Sequence, residues 1–85
     1  MKVKVVGWKG SRTEQTIVNA QAALDEFDTE ANVEWINDVY DMAKIGIVRT
    51  PAVVINNDLK VAGRIPSVFE LTTWIEEEMV KEIAA

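Results

Sequence analysis

Side chains able to recognise or transform a ligand are few in this chain, and most fall between its periodic segments. The stretch Gly7-Trp8-Lys9-Gly10-Ser11-Arg12-Thr13-Glu14 offers an indole, two cations, two hydroxyls and a carboxylate. The only three arginines are Arg12, Arg49 and Arg64; Arg49 precedes Thr50-Pro51 and Arg64 follows Gly63. A serine such as Ser11 becomes nucleophilic only beside a base, and the chain has no histidine to supply one. Without histidine, the usual proton shuttle and the usual nitrogen metal ligand are also missing. Cysteine is absent too, which removes thiol catalysis, disulfides and thiolate metal sites. No catalytic residue, metal ligand or cofactor is therefore assigned. The chemistry that remains is recognition, by guanidinium and ammonium groups for an anion and by an indole for stacking.

Composition narrows the partners. The 85 residues, 48% hydrophobic and 27% charged, suit a single domain over residues 1–85 with one small core. The net charge of −5 argues against nucleic acid, whose phosphates demand a basic footprint, and against an anionic membrane surface. No apolar run approaches the ~20 residues of a membrane span, and the amino terminus enters a strand pattern directly. A cytoplasmic protein is expected, and the absence of cysteine fits a reducing compartment. The sequence sets no oligomeric state.

The periodic segments must position these loops. Met1 to Val6 reads as a strand, near-continuously apolar as in a strand covered on both faces. Ile17, Ala20, Leu24 and Phe27 recur at helical spacing and predict a helix from Arg12 to about Phe27. Asn32 to Asn37 alternates as a second strand, and Asp38 opens a short helix over Val39 to Ile45 that Gly46 closes. Pro51 to Ile55 is a third strand, joined through the turn Asn56-Asn57-Asp58 to a fourth over Leu59 to Ala62. A last helix, Ser67 to about Ile83, buries Val68, Leu71, Ile75 and Met79, with an ion pair expected between Glu77 and Lys81. Glu76 to Glu78 read as a solvated face. Ser11-x-x-Glu14 and Ser67-x-x-Glu70 both have the form of a capping box. Trp35 and Trp74 are expected to be buried at least in part.

The resulting order, β-α-β-α-β-β-α, predicts an α/β fold with a four-stranded mixed sheet flanked by helices, its first two strands parallel and its last two antiparallel. Together with the Gly7–Thr13 loop, Thr50-Pro51 before the third strand and Gly63-Arg64 after the fourth, it resembles the thioredoxin-like family. Within that family the chain is most similar to the very small thioredoxin- or glutaredoxin-like proteins of archaea and anaerobic bacteria, over essentially its whole length.

The resemblance implies a site and a departure from it. The family's Cys-x-x-Cys motif falls here on Gly10 and Thr13, so both thiols are absent and thiol-disulfide exchange is closed to this chain alone. By the same resemblance Pro51 is expected to be cis, with Thr50 offering its backbone to an extended substrate. The fold would gather Trp8, Lys9, Gly10, Ser11, Arg12, Thr13, Arg49, Thr50, Pro51, Gly63 and Arg64 at one end of the sheet. Arg12, Arg49, Arg64 and Lys9 then form either a basic rim for an anion or ordinary solvated charge, and Trp8, with Tyr40 nearby, a stacking surface. The leading expectation is a non-catalytic binding or adaptor module for a protein or extended peptide. Alternatives are a binder of a small anion, such as glutathione or a phosphate-bearing metabolite, and a cysteine-free homologue or variant of a thiol-disulfide oxidoreductase.

Overall fold

A computed structural model of the chain describes residues 1–47 and 49–85. The elements are β1 (Val3–Val6), α1 (Ser11–Leu24), β2 (Val33–Ile36), α2 (Val39–Ile45), β3 (Ala52–Ile55), β4 (Asp58–Ala62) and α3 (Val68–Ala84). They build a mixed sheet of order β2-β1-β3-β4, in which β1 runs parallel to β2 and antiparallel to β3. The expected α/β architecture is therefore present, element by element. No helix among the described residues is long and apolar enough to cross a membrane.

Both faces of the sheet are covered, which explains the unbroken apolar strands. Val3, Val5, Val53, Ile55 and Val61 pack against Ala20, Ala23 and Leu24 of α1 and Leu71 and Ile75 of α3. Val6, Ile36, Ala52 and Val54 pack on the other face with Met42 of α2 and Ile47. Each Leu, Ile or Val fully removed from water contributes about 1.5–3 kcal/mol, so this two-sided core dominates the stability of so small a chain.

Local signals set several boundaries. The Asp38 side chain accepts from the amides of Tyr40 and Asp41, and Gly46 ends α2 at φ 83°, a backbone state that favours glycine. Ser67 and Glu70 form the expected capping box on α3. The turn between β3 and β4 is one residue shorter than expected, because Asp58 already pairs with Ile55; Asn56 and Asn57 make it alone, both at positive φ.

Three expectations are corrected. Ser11 and Glu14 form no capping box. Gly10 is the N-cap, Ser11 is already helical, and the Glu14 amide donates to the Gly10 carbonyl at 2.9 Å. Trp35 is 38% exposed at the edge strand instead of joining the core, and its indole N–H donates to the Gly7 carbonyl at 2.8 Å. Trp74 is half-buried against the core, as expected.

The third correction concerns Glu78, which is only 3% exposed although Glu76 and Glu77 face solvent. It continues the buried stripe of Leu71 and Ile75, and β4 supplies its partner. Val53 pairs with Val61 while Val54 pairs with Leu59, so Lys60 is an extra residue in a bulge. A bulge re-aims its side chain, and the Lys60 Nζ lies 2.8 Å from the Glu78 Oε2. Lys81 donates to the same oxygen at 2.9 Å and to Asp58 at 3.1 Å, in place of the expected bond to Glu77.

Two outcomes follow from this packing. Hydrogen bonds from Lys60 and then Lys81 hold the Glu78 carboxyl at about 2, below its ordinary 4.5. The unfolded chain therefore takes up a proton near 4.5 that the folded chain refuses until about 2, so stability falls as pH drops through that window. Urea midpoints measured across it should decline, and Glu78→Gln should flatten the decline while lowering the midpoint at neutral pH. Separately, a Cβ on Gly7 would stand 2.5 Å from the Thr13 Oγ1. Gly7→Ala should cost about 1–3 kcal/mol by overpacking, and adding Thr13→Ala should restore most of it in the same denaturation assay.

Candidate functional site

The site arises because β1 is paired along both edges. Val6, its last residue, stands opposite Ile36 of parallel β2 and Ala52 of antiparallel β3. The chain thus leaves β1 at the end of the sheet where it enters β3, and the Gly7–Thr13 stretch runs beside Arg49–Pro51. The Gly7 amide extends the ladder to the Ile36 carbonyl at 3.0 Å, and the Trp35 indole holds the Gly7 carbonyl, so the root of the loop is fixed at both polar atoms. On the far side of β3, Ala62 pairs with Ala52, and the next amide, that of Gly63, donates to the Pro51 carbonyl at 2.9 Å. The Thr50–Pro51 peptide bond is cis.

At the meeting point a cavity of about 300 Å³ is lined by Trp8, Gly10, Ser11, Arg12, Thr13, Thr50 and Pro51. Trp8 is 55% exposed and presents its ring at the mouth. Ser11, Arg12 and Thr13 occupy the first turn of α1, where amides lack helical acceptors and the helix end is electropositive. Thr13 belongs to the helix rather than to the loop and is buried against Gly7. Thr50 lines the cavity and exchanges no backbone hydrogen bond with any described residue.

The other four expected residues lie around the cavity without lining it. Lys9 is exposed beside Trp8. Arg12 donates from Nη2 to the Gly63 carbonyl at 3.1 Å, and the Arg49 guanidinium packs on the same glycine, whose φ of 89° leaves the space a side chain would take. Arg64 corrects the expected rim. Its guanidinium forks onto both carboxylate oxygens of Glu70, raising its own pKa and, with the Ser67 amide, holding Glu70 at about 2. Arg64 therefore carries a neutralised charge. The cationic edge consists of Lys9, Arg12 and Arg49. Tyr40 is exposed on α2 but does not line the cavity.

Sequence reasoning missed the roles of Trp35 and Glu70. Glu70 was legible as a cap, but its reach to Arg64, six residues back across the helix boundary, follows no periodic pattern. Trp35, on an alternating strand, is expected in the core or partly buried, and only the pairing with β1 shows its indole within reach of Gly7.

Chemically the arrangement offers cations, an aromatic ring, helix-end amides and, at the Thr50 bend, backbone that bonds to no described residue, with neither thiol nor imidazole. Among protein-family models, that of the thioredoxin domain matches residues 1–76, from β1 into α3. No curated protein matches the chain. A match over most of the length, on a sheet and helix order of the expected kind, places the chain in the thioredoxin-domain family, as a member without cysteine.

Proposed function

We propose that the protein is a non-catalytic binding module that takes an extended segment of a partner protein across the surface around Trp8, Arg12 and Thr50-Pro51. The observation that carries this reading is the cavity of about 300 Å³ at the junction of three connections, lined by groups that recognise rather than react. An extended segment needs backbone partners and side-chain anchors. Thr50 supplies the first, and Trp8 the second, as a large amphipathic ring of the kind that dominates interface energetics. The soluble state of such a module in the cytoplasm accords with its net charge of −5.

A second reading has its own observation. A Cβ on Gly10 would meet nothing within 4 Å, the Gly10 backbone is extended at φ 165° and ψ 170°, and Thr13 lies one turn further along α1. A thiol at Gly10 would meet open space, and one at Thr13 would replace a side chain of similar size, which favours a scaffold that lost its cysteines from a thiol-disulfide oxidoreductase.

Peptides selected on the immobilised protein from a random library should bind the wild type and lose at least about tenfold in affinity on Trp8→Ala, the scale of an interface hot spot, with amide shifts centred on Thr50. Peptides whose affinity ignores Trp8, or shifts confined to α3, would overturn the binding reading. For the second reading, the double variant Gly10→Cys, Thr13→Cys should form a reversible disulfide, followed by alkylation and mass spectrometry, and should reduce insulin; a variant that folds but never closes the bond removes it.

A further inference from the structure

Two guanidinium groups converge on Gly63, and neither has a countercharge among the described residues. Arg12 donates from Nη2 to the Gly63 carbonyl at 3.1 Å. The Nε and Nη2 of Arg49 lie 2.9 Å from where a Gly63 Cβ would be, so the Arg49 head occupies the volume this glycine leaves open. Gly63 itself is tied to the Pro51 carbonyl, beside the cavity. Both arginines are exposed, and neither forms a salt bridge with a described carboxylate, although the chain carries 14 acidic residues. The contrast with the adjacent residue is direct, since Arg64 is fully engaged by Glu70. Like charges held close together repel, and the repulsion is relieved when an anion sits between them. Each head retains most of its five donors, in a planar fork that matches a carboxylate.

We propose that Arg12 and Arg49 form a cationic clamp over Gly63 that receives an acidic side chain of the extended segment seated in the neighbouring cavity. The inference rests on the reading that such a segment binds there, and it specifies the chemistry of the partner: an acidic peptide, drawn to a local positive edge on a protein of net charge −5. Lys9, exposed in the same loop, adds to the attraction at longer range. Because both heads are open to solvent, the preference is sensitive to salt.

The test uses two amidated libraries of short peptides, alike except that one carries Glu and Asp where the other carries Gln and Asn, measured by fluorescence polarisation on the intact protein. At low ionic strength the acidic library is expected to bind at least about tenfold tighter, with the advantage shrinking steadily as salt is raised toward the ~1 M at which screening reaches ~3 Å. Arg49→Gln should abolish the advantage, Arg49→Glu should reverse it, and Lys2→Gln, remote from the cavity, should leave it intact; a reversal cannot come from unfolding. Equal, Trp8-dependent binding of both libraries would overturn the clamp and leave the binding reading standing. Binding of neither would remove the binding reading as well. Inorganic phosphate competing as strongly as the acidic peptides would overturn the peptide assignment in favour of a free anion.

Discussion

Everything at the cavity end of this molecule depends on the double pairing of Val6, with Ile36 on one side and Ala52 on the other. That register decides where β1 hands over to its loop and where β3 begins, and it brings two segments about forty residues apart in sequence to the same sheet end. The Gly63 amide on the Pro51 carbonyl adds the third connection. A slip of one residue in either pairing would turn Val6 out of its core and carry Thr50 away from Gly10. The hydrophobic core and the site are thus specified by one set of backbone bonds.

The architecture around Gly10 and Thr13 is complete without a thiol. Gly7 makes room for Thr13, α1 begins directly after the loop, and Pro51 lines the same cavity. The electrostatic character of the edge is set by an ion pair beside it. Glu70 serves two purposes at once, closing the cap of α3 and neutralising Arg64, which narrows the cationic edge to one side of the cavity. Specificity in such a site comes from where charge is left uncompensated as much as from where it is placed.

Much of this was legible in the sequence. The element order, the limits of α2 and the α3 cap all rest on local chemistry that needs no tertiary partner: Asp38, Gly46, and Ser67 with Glu70. Seven of the expected site residues line the cavity, because the strands that flank their loops, β1 and β3, have strong apolar signatures. Other features were not legible. Ser11-x-x-Glu14 and Ser67-x-x-Glu70 are equivalent as strings, yet Gly10, with its extended backbone, takes the cap of α1. Glu78 resembles its neighbours Glu76 and Glu77 in sequence, and only the bulge in β4 shows a lysine waiting for it. Thr13, Thr16 and Ala23 complete the buried face of α1 although the hydroxyls hid the stripe; Thr16 satisfies its own by donating to the Arg12 carbonyl at 2.8 Å.

The bulge at Lys60 has a bearing on the life of the protein among its own copies. β4 is an outer strand, and a flat outer strand invites a neighbour to zip onto it. Here the hydrogen-bonding rhythm is broken at Lys60, between Leu59 and Val61, and an ammonium group is drawn inward beneath α3. An incoming strand would find no continuous ladder to copy, so the same contact that anchors the last helix also guards this margin of the sheet against runaway stacking.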